Sequence, residues 1–183
     1  MVEGEHSRPV EAANDGSWVW GRYSALGFWT ALITLVLDQA YKWWMILGIG
    51  MREGERFPAM PFLDIVYVKN TGISYSMFDS AAFEWQLSLA GFAALVSIAL
   101  WTWLARSGTG KLMGLSLGLI IGGAIGNGID RVLLGGVADF FLLHGFGYSW
   151  YVFNIADIAI VAGVVGLLYD SLWPSRNADT KPT

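Results

Sequence analysis

The stretch Gly122–Asp157, GGAIGNGIDRVLLGGVADFFLLHGFGYSWYVFNIAD, decides how this chain reads. It sets Asp130, Asp139 and Asp157, together with Asn127, Arg131 and Asn154, into an otherwise apolar background. An ionisable group at membrane depth is costly, so each is a candidate functional residue by default. Gly114, Gly118, Gly122 and Gly126 recur every four residues, and Asp130 continues their register. Small residues at that spacing let helices approach closely in lipid. The stripe reads as a packing face that carries Asp130 with it.

The composition around this stretch is that of an integral membrane protein. Of 183 residues, 55% are hydrophobic and 14% charged, against about 25% charged in soluble domains; the mean hydropathy is +0.49. A net charge of −4 offers no basic surface to nucleic acid. The absence of cysteine removes disulfides, thiol nucleophiles and thiolate metal sites. With only His6 and His144, a histidine metal site is not expected, and neither is a cofactor.

Four spans emerge, at residues ~24–47, ~86–105, ~112–134 and ~155–173, each near the ~20 residues that cross a bilayer. They make an all-α polytopic membrane domain over 23–173. A polar tail, 1–22, precedes it without the pattern of a cleaved signal peptide, and a second polar tail, 174–183, follows. The connection ~48–85 is too charged to span; FLDIVYVKN within it is β-rich and breaks at Asn70-Thr71-Gly72, so a small sheet or hairpin on the membrane surface is predicted. RSGTGK (106–111) is a tight turn, and ~135–154 reads as a loop rich in glycine and aromatics. Four spans put both termini on one side. Arg8, Arg22, Arg106, Lys111, Arg176 and Lys181 lie on that side against Arg52, Arg56 and Lys69 on the other, which favours cytoplasmic termini. Tryptophans such as Trp18, Trp43, Trp101 and Trp173 fall near span ends, as an aromatic belt requires.

Antiparallel threading then gathers polar groups at one depth near the outer leaflet. Asp38 and Lys42, at i and i+4, share a face of span one and are close enough to pair, as a structural ion pair or as part of a site. Asn127, Asp130 and Arg131 end span three, Asp139 follows, and Asn154 and Asp157 open span four. Asp130, with Arg131 beside it and Asn127 one turn back, reads as an ionised scaffold residue. Asp139 and Asp157 have no adjacent cation. Facing each other, they would share a proton, one acting as general base on water and the other as acid, which is peptide hydrolysis of the aspartic type. For Asp157 a helix N-cap role is the alternative. Other readings remain open at this point. His144 with Ser149 would serve a serine route. Dispersed carboxylates fit a Mg-dependent headgroup transferase poorly. A proton-coupled small membrane transporter or a structural assembly protein is the non-enzyme alternative.

Five ordered blocks resemble bacterial lipoprotein signal peptidase (signal peptidase II), a membrane aspartic endopeptidase, over ~27–172. LDQAYK is similar to its Asp-Gln-x-x-Lys signature at Asp38 and Lys42. VKNTGISYSMF resembles Val-x-Asn-x-Gly and brings in Asn70 and Gly72. GGAIGNGIDR is similar to Gly-Asn-x-x-Asp-Arg, GGVADFF would carry the first catalytic aspartate, Asp139, and FNIADIAI would carry Asn154, Ala156 and the second, Asp157. The chain departs from the family at Ser74-Tyr75, often Ala-Phe, and at Gly128, often a large apolar residue. The resemblance implies cleavage of a diacylglyceryl-modified prolipoprotein just before its lipidated cysteine. It also implies four transmembrane helices, a periplasmic β-cradle from the first loop and a short amphipathic helix in the last. The setting would be the bacterial inner membrane, with membrane lipid around the enzyme, the active site near the periplasmic face, and a monomer expected. The loop FFLLHGFGYSWYVF is expected to act as a mobile lid, with Gly145 and Gly147 permitting its motion.

Overall fold

The structure is a computed structural model and describes residues 19–72, 81–107 and 110–173. Most of the amino-terminal tail, the carboxy-terminal tail, the Ser74-Tyr75 departure and Gly108-Thr109 of the tight turn lie outside the described residues. The elements run α1 (Ser24–Trp43), extended by a π-helical turn (Trp44–Gly48), β1 (Arg56–Met60), β2 (Leu63–Asn70), α2 (Phe83–Ser107), α3 (Lys111–Leu134), β3 (Val137–Gly145), β4 (Tyr148–Phe153) and α4 (Ile155–Leu172).

Helix α3 is the central element and packs against α1, α2 and α4. Its glycine stripe explains why. A Cβ on Gly122 would lie 2.5 Å from the Ala31 carbonyl oxygen of α1, and one on Gly126 would lie 2.7 Å from Asp38 Oδ2. Only hydrogen fits there, and the two backbones meet in near contact. The apolar surface runs the other way from a soluble core: Phe92, Leu95 and Ile98 on α2 and Val161, Val165 and Leu168 on α4 are all exposed. Three helices, Phe83–Arg106, Lys111–Leu134 and Ile155–Leu172, are long and apolar enough to cross a membrane.

The strands form one antiparallel sheet in the order β1-β2-β3-β4. The predicted hairpin of the first connection is present as β1 and β2. Two expectations are corrected. The sheet does not come from the first loop alone, and the last loop forms no amphipathic helix; it supplies β3 and β4. The physical reason lies in the sequence of 137–153. Aromatic and β-branched side chains suit a pleated, half-buried surface. Pairing of Gly145 with Tyr148 leaves a two-residue turn, Phe146-Gly147, whose φ values of 52° and 82° are both positive, as a type I′ hairpin turn requires. The expected lid is therefore a hairpin continuous with the first loop. Ladder pairs such as Ile65–Phe141 and Val68–Asp139 tie it there, and movement of β3 against the first loop would break them.

The sheet docks on the carboxy-terminal end of α1. Met45, Met51, Tyr67, Ala138 and Phe140 form a buried apolar cluster. The Tyr67 and Phe140 rings stack 5.0 Å apart, and Tyr41 of α1 meets Phe140 edge-on at 5.7 Å. This cluster fixes β3 over the ends of α1 and α3 and so sets the position of Asp139.

Candidate active site

Asp157 is placed by the start of α4. Asn154 is the N-cap: its Oδ1 accepts from the Asp157 backbone N–H at 2.9 Å, and Asp157 Oδ2 accepts from the Asn154 N–H at 3.2 Å. The pair is a reciprocal capping box. Asp157 thus serves the helix end through one oxygen, and its other oxygen, Oδ1, accepts from Asn127 Nδ2 at 2.9 Å.

Asp139 projects from β3 and is 2% exposed. Its Oδ1 accepts from Asn154 Nδ2 at 2.6 Å, and its Oδ2 from Asn70 Nδ2 at 3.3 Å. Burial, and next the Asp157 carboxylate, push its pKa up to about 7, against the opposing hydrogen bonds from Asn154 and Asn70 and the Lys42 charge. One residue, Asn154, therefore links both carboxylates, by its side chain to Asp139 and by its backbone to Asp157. Both line a cavity of about 440 Å³ with Asn70, Asn127, Arg131 and Tyr151, walled by apolar side chains of α2, α3 and α4.

Beneath the cavity lies a buried charge cluster. Lys42 Nζ is 2.8 Å from Asp38 Oδ2 and 2.7 Å from Asp130 Oδ2, and donates to Asn127 Oδ1 at 3.1 Å. An isolated buried charge is very expensive, and this one is paired and hydrogen-bonded on every side shown. The two acids are used further. Asp38 Oδ1 accepts from the Ala156 N–H at 2.9 Å, and Asp130 Oδ2 from the Ala138 N–H at 3.1 Å. Lys42 and the Asn154 amide both donate to Asn127 Oδ1, which leaves Asn127 Nδ2 to face Asp157.

All eleven residues singled out in the sequence fall in this one network of hydrogen bonds and ion pairs. Their partners differ from expectation in one respect. Asp130 pairs with Lys42, not with Arg131, because consecutive helical residues point about 100° apart. Arg131 turns toward the cavity, where Nη1 donates to the Asn127 carbonyl at 3.1 Å and Nη2 to the Gly72 carbonyl at 3.3 Å. Gly72 in turn donates its N–H to Asn70 Oδ1 at 3.1 Å. The two residues of the serine route, His144 and Ser149, pair across the β3–β4 ladder and do not line the cavity shared by Asp139 and Asp157; His144 Nε2 is bonded to Asp64 Oδ1 at 3.0 Å. Sequence reasoning missed Gln39, Tyr151 and Gln86. Gln39 Nε2 bridges Asp130 Oδ1 at 2.9 Å and the Gly126 carbonyl at 3.2 Å. Gln39 and Gln86 each carry a readable signal, an uncharged amide inside an apolar span.

The carboxylates of Asp139 and Asp157, held by amide donors, share one cavity within a bundle of apolar helices, as in a membrane enzyme. Residues 30–173 match the family model of signal peptidase (SPase) II, and the chain belongs to that family. It is 49% identical to the lipoprotein signal peptidase of Methylocella silvestris over 155 residues, 85% of this chain and 90% of that relative. It is 52% identical to the lipoprotein signal peptidase of Rhodopseudomonas palustris (strain TIE-1) over 151 residues, 80% of this chain and 92% of the relative. A bacterial membrane enzyme structure determined by the in meso method at 2.3 Å resolution superimposes with a TM-score of 0.72 at 28% identity, covering 87% of this chain and 94% of that one. Membership makes this chain a bacterial membrane peptidase of lipoprotein processing, which removes signal peptides from prolipoproteins.

Proposed function

We propose that Asp139 and Asp157 together activate the water that cleaves the signal peptide, just before a cysteine that already carries diacylglycerol. What carries the reading is that both carboxylates line one cavity and that Asn154 links them. Close like charges in a poorly solvated site cannot both ionise, so the pair holds one proton and titrates as a unit. The ionised carboxylate takes a proton from water as its oxygen attacks the scissile carbonyl carbon. The protonated carboxyl donates to the carbonyl oxygen. Collapse of the tetrahedral intermediate breaks the C–N bond: the carboxyl that took the water proton gives it to the departing cysteine amine, and a hydroxyl of the intermediate returns its proton to the other carboxylate as the carbonyl re-forms. Asn70, Asn127 and Asn154 aim the carboxylates, and Asp38, Lys42 and Asp130 fix Asn127, Ala138 and Ala156 from below. Arg131 and Gly72 hold the Asn70 turn, and Ala156, 0% exposed, offers its backbone N–H to Asp38.

In this reading α1 also crosses the bilayer, giving four transmembrane helices within a single domain of about 23–173, flanked by polar tails. The enzyme sits in the inner membrane as a monomer with both termini cytoplasmic. The sheet lies on the periplasmic face, where a substrate anchored by its own apolar helix and acyl chains presents its scissile bond. The strand-rich sheet, with exposed Phe57, Met60, Phe62, Tyr148 and Trp150, is suited to contact lipid there.

The test is Asp139→Asn and Asp157→Asn, each assayed on a diacylglyceryl-modified prolipoprotein in detergent with a chelator present. Both variants are expected to lose turnover by at least about 10³-fold, while the wild type ignores the chelator. Normal processing by either variant would refute the paired mechanism, and chelator sensitivity of the wild type would point to a metal.

A further inference from the structure

Gln86 is a fully buried amide, 0% exposed, on the helix α2 whose neighbouring positions are mostly exposed and apolar. A buried amide is costly without a hydrogen bond. Its Nε2 donates to the Thr71 carbonyl at 2.6 Å, linking α2 to the turn that follows β2. Three consecutive residues of that turn are held by three different elements. Asn70 donates to Asp139 of β3, Thr71 accepts from Gln86 of α2, and Gly72 accepts from Arg131 of α3. The turn also fixes which way the Asn70 amide faces. Its Oδ1 is occupied by the Gly72 N–H, so its Nδ2 must point at Asp139. Gln86 does not line the cavity that holds the two aspartates.

We infer that Gln86 is a positioning residue for the reaction, acting through the Asn70–Gly72 turn to hold the Asn70 amide against Asp139. The inference rests on the reading of Asp139 as half of the water-activating pair. It places the control of one carboxylate on a helix that contributes only apolar wall to the site. The 3.3 Å bond from Asn70 is the longest of the four amide bonds to the two carboxylates, and it is the one whose donor sits at the end of a strand, where the turn begins, rather than on a helix or its cap.

The experiment is a double-mutant cycle on the purified full chain, with Gln86→Leu, Asn70→Ala and the double variant. Turnover is normalised to folded enzyme by melting temperature and size-exclusion profile. A misplacement of about 1 Å in a catalytic constellation costs on the order of 100-fold, so Gln86→Leu is expected to lower kcat roughly 10- to 100-fold with KM unchanged. In the Asn70→Ala background the same substitution is expected to change kcat less than about twofold, because the group it positions is gone. Equal losses in both backgrounds, or a raised KM at constant kcat, overturn the inference. Asp139→Asn run in parallel separates the two levels. If it is dead and the Gln86 and Asn70 effects add independently, only the positioning role falls. If it turns over normally, the aspartate pair itself falls.

Discussion

Lys42 serves two carboxylates and an amide at once, and its 1% exposure leaves no water to replace it. Lys42→Met would leave Asp38 and Asp130 buried without their cation. Breaking a buried pair from one side costs about 3–5 kcal/mol, so the melting temperature in detergent is expected to fall by roughly 6–20 °C; an unchanged melting curve would show the cluster to be dispensable. Asp139 gives a pH prediction with the opposite logic. Folding raises its pKa from the ordinary 3.8 to about 7, so the fold favours the neutral form. Its contribution to stability is fully present below about 4 and is lost as the pH rises through about 7. The difference in melting temperature between Asp139→Asn and wild type should therefore move in the variant's favour between pH 4 and 7 and then level off. A difference that is flat with pH would contradict the burial of that carboxyl. At this scale the sequence was informative about which residues gather in one network, because charge in an apolar chain is conspicuous. It was silent about partners: Lys42 and Asp130 are 88 positions apart, 130 − 42, and no local spacing encodes their meeting.

Among the elements, α3 shows how far a repeat can be read. The four-residue glycine period named the packing face, and the face carries α1 against it as expected. Gly122→Leu should force the Ala31 backbone away and abolish both folding yield and turnover. Gly91→Leu on α2 is the matched control, since a Cβ there meets nothing within 4 Å, and it should leave both intact. If the two variants behave alike, close approach is not what the stripe is for. The hairpin β3–β4 was the element least legible in advance. Its glycines and aromatics suggested a loop, and the resemblance suggested a helix, yet the deciding feature was tertiary. Strand β2 offered an edge, and β3 could pair with it along its length. By contrast β2 itself was legible because its β-branched run ends at an explicit turn signal, Asn70-Thr71-Gly72.

The whole molecule inverts the soluble pattern, with glycine and charge inside and leucine, valine and phenylalanine outside. That inversion is readable from composition. The orientation in the bilayer rests on the Lys and Arg count alone. It predicts that alkaline phosphatase fused after Trp173 is inactive, whereas the same reporter inserted after Gly54, in the exposed approach to β1, is active. The reverse pattern would place the proposed active site on the cytoplasmic face and remove it from its substrate.

The capping box at the start of α4 has a practical side. Asp157 secures a helix end and, in our reading, also handles the proton, so replacing it risks the scaffold along with the chemistry: lost caps cost about 0.5–2 kcal/mol. Asp139 anchors no helix end. For anyone wishing to freeze the enzyme with an uncleaved prolipoprotein in its grip, Asp139→Asn is the bait to choose, and Asp157→Asn the one more prone to fall apart before it is imaged.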